Sequence, residues 1–246
     1  MHETDLPVDD PAAAHVVVRT GDGAGLPELT RHRRGMLTSL SVVVLSADAA
    51  GLDLVRAMTE WAPPQYRMEF VVADGAHDGR AGEGLDAIAR HLDQLAWSWE
   101  IVEEPAGGRI AAFDQASAVA TGEFVVVAAP GVASVQPLTG ALGHMWVNGA
   151  DALIVGGGAS QPDGGGSVTP VPAADSTSDV RAERLITALG LRRGPAGGSP
   201  AIVVLRRWVA RFLFDDIARA IDPVEEFADR VRLVEMRLVE VVRPPT

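Results

Sequence analysis

Cysteine and lysine are both missing from the 246-residue chain, whose basic residues are all arginine. No cysteine means no disulfide framework, no thiolate nucleophile and no cysteine-ligated zinc, and leaves the redox compartment unread. No lysine excludes Schiff-base chemistry and a P-loop; the skew toward arginine reflects a GC-rich genome. Aromatic residues make up 5% of the chain. The six histidines show no HExxH spacing, and GxSxG and GxGxxG are also absent, so hydrolase, metalloprotease and dinucleotide readings have no support. No apolar run reaches the ~18 residues that a membrane-spanning helix needs, and the first residues lack a signal-peptide pattern. With a net charge of -12, general affinity for nucleic acid or for an anionic membrane is not expected, unless a local arginine cluster overrides it. A cytoplasmic protein is the expectation, with association at the inner face of a membrane as a variant of it.

What is present is glycine, 26 residues, and a 47% hydrophobic content sufficient for one sizeable α/β domain. Residues 1–36 are polar and charged and read as a flexible extension, although "HVVVR" has the pattern of an edge strand. From residue 37 onward the chain reads as one domain. Apolar runs alternate with amphipathic segments through residue 155: "LSVVVLSA", "RMEFVVADG", "WEIVEE", "EFVVVAA" and "DALIVGG" are strands with helices between them. Leu85, Ile88, Ala89 and Leu92 fall on one helical face. Residues 156–172 are glycine-rich and read as a loop; residues 173–246 add helices, a strand "AIVVLRR" and a closing strand. In the helix after "AIVVLRR", Trp208, Phe212 and Leu213 are expected to face inward. The whole predicts a mostly parallel sheet flanked by helices, Rossmann-like, with ligands beyond the carboxyl ends of the strands.

Several loops carry chemistry-bearing residues. "ADGAHDGR" follows the second strand and holds Asp74, Gly75, Asp78 and Gly79; alone it is an ordinary Asp/Gly turn. Asp48, in "LSADAAG", either meets a ligand or caps the next helix. "EEPAGGRIAAFDQ" puts Gly108 in a turn and Arg109 at a helix start, where an arginine either reaches a phosphate or lies on the surface. "DPVEEFADR" begins a helix with Glu225 and Glu226, which the helix dipole favours in any case.

In this order the loops resemble family-2 glycosyltransferases of the nucleotide-sugar-binding A fold, over residues 38–155 and more weakly over 200–242. The resemblance implies transfer of a sugar from a nucleotide diphosphate of UDP or GDP type to a glycan or lipid-linked acceptor. It implies nucleotide contacts at Asp48, Asp74, Asp78, Gly108 and Arg109, with Asp74 accepting a hydrogen bond from the base. It aligns Asp114 with a position where an asparagine is usual. It makes Glu225 and Glu226 the catalytic carboxylate pair, Glu226 taking the acceptor proton.

One departure stands out. The family's fourth strand ends in Asp-x-Asp, which holds Mg²⁺ or Mn²⁺ against the diphosphate. Counted from Thr121-Gly122-Glu123, the two aspartates fall on Ala129 and Gly131, with Pro130 between them. A unit charge pair at ~4 Å is worth roughly 4 kcal/mol near a protein surface, so loss of a dication is a large loss of donor affinity unless arginines replace it. Arg109, Arg206 and Arg207 are the candidates. The expectation is therefore no cofactor, the divalent metal being lost. The protein is then either a metal-independent glycosyltransferase or a non-catalytic relative that serves as a binding or scaffolding partner in envelope or polysaccharide biosynthesis.

Overall fold

The computed structural model describes residues 17–21, 38–46, 48–62, 66–74, 81–103, 108–128, 135, 138–156, 169–172, 177–191 and 201–242. The elements in chain order are β1 (Val17–Gly21), β2 (Thr38–Val44), α1 (Ala49–Trp61), β3 (Tyr66–Asp74), α2 (Ala81–Gln94), β4 (Ser98–Glu103), α3 (Gly108–Val119), β5 (Phe124–Ala128) and α4 (Leu138–Asn148). They continue with β6 (Ala152–Gly156), β7 (Thr169–Pro172), α5 (Ser178–Leu189), β8 (Ala201–Arg206), α6 (Arg207–Phe214), a single 3-10 turn (Ile217–Arg219), α7 (Pro223–Leu233) and β9 (Leu238–Val242).

All nine described strands join one sheet in the order β1-β4-β3-β2-β5-β8-β6-β9-β7. Strands β4, β3, β2 and β5 pair in parallel, as do β6 and β9; β1, β7 and β8 run the other way. The fold is thus α/β with a mostly parallel sheet flanked by helices, as the alternation predicts.

Side chains alternate across the strands and build a separate core on each face. Leu40, Val42, Val44, Phe70, Val72, Phe124 and Val126 pack on one face under α1, α2 and α4, with Leu85, Ile88 and Leu92 of α2 buried there. Val43, Val71, Val125 and Val127 pack on the other, under α3, α5, α6 and α7. Three rings tie that second layer together: Phe113 of α3 stacks on Phe214 of α6 at 4.9 Å between centroids, and Phe214 lies 5.3 Å from Phe227 of α7. A buried phenylalanine of this kind contributes about 3–5 kcal/mol relative to alanine.

Three features differ from the sequence-based expectation. Strand β8 enters antiparallel between β5 and β6, because the chain arrives from α5 at the carboxyl end of the parallel strands and must run down the sheet. Strand β7 lies within the stretch read as a glycine-rich loop; its two prolines lack the N–H of an inner strand and are tolerated because β7 closes an edge. On α6, Trp208 and Phe212 are 50% and 42% exposed, while Val209, Ala210, Leu213 and Phe214 are buried. The buried pairs repeat at i, i+4, and Arg207 and Arg211 mark the solvent stripe that the two aromatics share. "HVVVR" does supply an edge strand, β1, paired antiparallel with β4. Among the described residues no helix is long and apolar enough to cross a membrane.

Candidate functional site

The carboxyl ends of β2, β3, β4 and β5 open on one edge of the sheet, and the loops that leave them carry most of the sequence-predicted residues. Asp48 sits in the turn between β2 and α1. Its Oδ1 accepts from the backbone N–H of Ala50 at 2.9 Å and of Gly51 at 3.0 Å, which makes it the N-cap of α1. Hydrogen bonds from Ser46, then from Gly51 and Ala50, hold its carboxyl below the usual aspartate range. Gly51 lets α1 start so close to β2: a Cβ there would stand 1.8 Å from the carbonyl oxygen of Ser46.

Asp74 ends β3, paired in register with Glu103, the last residue of β4. Asp78, Ala129, Pro130 and Gly131 lie outside the described residues. Gly108 is the first residue of α3, and Arg109 follows in its first turn. Arg109 is half-buried, and burial pulls its guanidinium below the ordinary arginine value. Its terminal nitrogen rests on Gly190, where a Cβ would come within 2.6 Å of it. Gly190 closes α5 in the left-handed region at φ 65°, which a glycine adopts without strain. Among the described residues, no carboxylate forms an ion pair with Arg109. A desolvated cation without a carboxylate partner among the described residues, at the start of a helix whose dipole adds positive potential, suits an anion.

Glu225 and Glu226 stand in the first turn of α7, which Asp222 caps through Val224 N–H and Glu225 N–H, both at 3.1 Å. Each is ion-paired. Glu226 Oε1 accepts from Arg230 Nε at 2.7 Å; Glu225 accepts from Arg232, which also holds Asp229 and Asp179. The Glu225, Asp229 and Asp179 bonds raise the already high Arg232 value further.

Two sequence candidates fall elsewhere. Arg206 ends β8 and Arg207 begins α6, and because β8 runs antiparallel they lie at the amino ends of the parallel strands. Arg206 meets Asp151 at 3.6 Å, Glu123 at 4.0 Å and the Phe124 ring at 5.4 Å; Arg207 donates to Thr121 O. They are therefore not available to a diphosphate at the carboxyl edge. Asp114, half-way along α3, accepts from Asp216 N–H at 3.2 Å and Ala218 N–H at 3.4 Å and so ties the 3-10 turn to α3. Burial raises its carboxyl above the usual range, with neighbouring Asp216 and Asp215 adding to it. Beside it Ser117, Ala118, Arg211 and Asp215 line an open depression of about 240 Å³.

Sequence reasoning missed Glu69. Its Oε1 accepts from Ser41 Oγ at 2.5 Å and Thr121 N–H at 2.6 Å, and its Oε2 from Thr121 Oγ1 at 2.5 Å. Ser41 Oγ in turn accepts from Gly122 N–H at 2.7 Å, and a Cβ on Gly122 would stand 2.5 Å from Ser41 N. Thr121-Gly122 is thus the clasp that sets β5 beside β2, with the signal being a carboxylate on the otherwise apolar "RMEFVV".

No protein-family model and no curated protein matches the sequence. Solved structures do show similarity. Residues 1–349 of Staphylococcus aureus TarS superpose with a TM-score of 0.49 at 14% identity, over 84% of this chain and 58% of that one. The mannosyltransferase PcManGT of Pyrobaculum calidifontis, in complex with GDP-Man and Mn²⁺, gives 0.47 at 15%, over 84% and 54%. Glucosyl-3-phosphoglycerate synthase of Mycobacterium tuberculosis, in complex with Mn²⁺, UDP and glucosyl-3-phosphoglycerate, gives 0.44 at 16%, over 89% and 76%. The chain thus spans little more than half of the first two. Identities this low say nothing of activity, and the fold assignment stands on the strand order and pairing above.

One expectation is corrected. The mannosyltransferase and the synthase are each solved with Mn²⁺ together with a nucleotide or nucleotide sugar, and absence of a divalent metal does not follow from the broken Asp-x-Asp. Ala129, Pro130 and Gly131 offer no side-chain oxygen and do not themselves fit such a cation. The physical reason the inference fails is that Mg²⁺ and Mn²⁺ often take only one or two protein carboxylates and complete their shell from phosphate oxygens and water. Among the described residues no group of three acidic or histidine side chains forms a cation cage.

Proposed function

We propose that the chain is a glycosyltransferase-like protein that binds a nucleoside-diphosphate sugar at the carboxyl edge of its sheet. Residues 37–155 form the nucleotide-binding half and residues 173–246 the acceptor-side half. The observation that carries the reading is Arg109: half-buried, depressed by burial, seated on Gly190 and without a carboxylate among the described residues. On this reading Asp74 accepts a hydrogen bond from the base, Asp48 and Asp78 are further nucleotide contacts, and Gly108 lets the diphosphate approach the α3 amides. Arg109 takes up charge as the leaving diphosphate forms.

In the transfer step the acceptor hydroxyl gives its proton to Glu226 and its oxygen bonds to C1 of the sugar. The bond from C1 to the diphosphate oxygen breaks, its electron pair departing with the nucleotide. A positioned base of this kind contributes about 10² to 10⁴ in rate. Glu225 helps to hold the start of α7 through Arg232.

A second reading is favoured by a specific observation. Arg230, which pairs with Glu226, also donates to the carbonyls of Phe212 and Asp215, so Glu226 belongs to a strut between α7 and α6. On that reading the chain binds the nucleotide sugar, or a protein partner in envelope or polysaccharide assembly, without turning it over. The deciding experiment is thermal melting with UDP- and GDP-sugars, with and without Mn²⁺, followed by a transfer assay on wild type and Glu226→Gln. A melting shift with turnover that falls at least a hundredfold in the variant supports the first reading. A shift without turnover supports the second, and no shift with any nucleotide sugar overturns the donor site.

A further inference from the structure

We infer that the outward face of α6 is a docking surface for an anionic lipid bilayer. The inference is independent of the nucleotide-binding proposal. Helix α6, Arg-Trp-Val-Ala-Arg-Phe-Leu-Phe, divides by burial into two faces. Val209, Ala210, Leu213 and Phe214 are buried, whereas Arg207, Trp208, Arg211 and Phe212 are all exposed. At 100° per residue the exposed four span an arc of roughly 140°, with both arginines on one flank and both aromatics on the other.

The chemistry of that arc is that of an interfacial helix. Tryptophan and phenylalanine settle at the boundary between headgroups and acyl chains, and arginines at their side meet the phosphates. The two guanidiniums are held ready. Arg207 donates to Thr121 O, and Arg211 donates to Ala118 O at 3.4 Å, one of the carbonyls left over at the end of α3. A guanidinium carries five donors, so several remain on each. Among the described residues neither arginine forms an ion pair with a carboxylate. Asp215, which closes the helix, shares the exposed side, and Asp114 of α3 lines the same depression as Arg211.

Charge selects the occupant. The protein as a whole carries -12, which opposes a negative surface, but charges beyond about 10 Å are screened at physiological salt, so the cationic stripe acts on what lies directly against it. A second copy of the chain is disfavoured, since a two-fold contact through this face would set Arg207 and Arg211 against themselves. An anionic bilayer satisfies both the arginines and the aromatics at once.

The test is co-sedimentation of the full chain with vesicles of phosphatidylcholine alone and of equimolar phosphatidylcholine and phosphatidylglycerol. Binding is expected to the anionic vesicles and not to the neutral ones, and to weaken as salt is raised. Arg207→Gln/Arg211→Gln is expected to weaken it by roughly fivefold per arginine. Trp208→Ser/Phe212→Ser is expected to weaken it at least tenfold. Val147→Ser removes an exposed valine of α4, a helix on the other face of the sheet, and should leave binding unchanged. Phosphatidylglycerol with brominated chains should quench wild-type tryptophan fluorescence, and Trp208→Phe should remove most of that quenching without disturbing the fold. Failure to bind anionic vesicles, equal binding to neutral ones, or indifference to both double variants overturns the inference. So does a concentration-dependent dimer that Trp208→Ser/Phe212→Ser abolishes in the absence of vesicle binding.

Discussion

The two edges of the sheet are built differently. At the amino edge, acceptors and donors meet: Glu69 holds Ser41 and Thr121, Arg206 is shared by Asp151 and Glu123, and Asp151 also accepts from Arg237 N–H at 2.9 Å. At the carboxyl edge Asp48 spends its carboxylate on its own helix, and Arg109 has burial without a carboxylate among the described residues. A satisfied polar cluster is a structural device, because every group in it already has its partner. A half-buried cation lacking one is where a ligand adds most.

The largest expected effect tests the amino edge. Glu69→Ala strands the Thr121 N–H and two hydroxyls, and hydrogen bonds to a charged group are worth about 1.5–3 kcal/mol each, not additively. A stability loss of about 3–4 kcal/mol is expected in denaturant unfolding, with unchanged nucleotide affinity in whatever protein remains folded. A loss under about 1 kcal/mol would break the contrast between the edges.

Arg109→Gln is the reciprocal change. Removing the cation relieves a desolvation cost, so stability should hardly move, whereas a lost charge-assisted bond to phosphate lowers affinity by about 2 kcal/mol, some thirtyfold. Isothermal titration with UDP or GDP measures it. If stability falls and affinity does not, Arg109 merely serves the carbonyl end of α5.

Gly190→Ala sharpens the same point by touching the seat of Arg109 without removing its charge. An alanine at φ 65° costs about 1–2 kcal/mol, and its Cβ must push the guanidinium end away. A modest fall in melting temperature together with a several-fold rise in Kd is expected; a fall in stability alone would detach Gly190 from binding.

How much of this was legible in the sequence differs between the same two edges. Local pattern is enough where an element is set by its own residues: α7 runs from Pro223 to Leu233 as "DPVEEFADRVRL" implies, and Leu85, Ile88 and Leu92 are buried as spaced. Orientation is another matter. "AIVVLRR" reads as a strand in either direction, and only the chain path makes it antiparallel and carries Arg206 and Arg207 to the amino edge. Trp208 and Phe212 lie outward against expectation because six of the eight residues in α6 are apolar, so periodicity alone leaves the face open. Glu69 was passed over because a lone carboxylate in a strand names no partner; Thr121 and Gly122 lie 52 and 53 residues away.

The smallest effect concerns Asp48 and isolates a cap from a ligand site by its pH dependence. Its carboxyl lies below the unfolded value, so its contribution is fully present above the unfolded aspartate pKa and is lost as pH falls through the folded one. Asp48→Ala should cost about 1 kcal/mol at neutral pH and show a smaller penalty as the solution is acidified. Asp48→Asn keeps an oxygen for Ala50 N–H and Gly51 N–H, so at neutral pH it should lie within a few tenths of a kcal/mol of wild type while removing that acid-side slope. Both follow from thermal melts taken across acidic pH. Should Asp48→Asn keep its stability yet lose nucleotide affinity, the carboxylate charge acts on the ligand as well as on the helix, and Asp48 joins Arg109 at the binding edge.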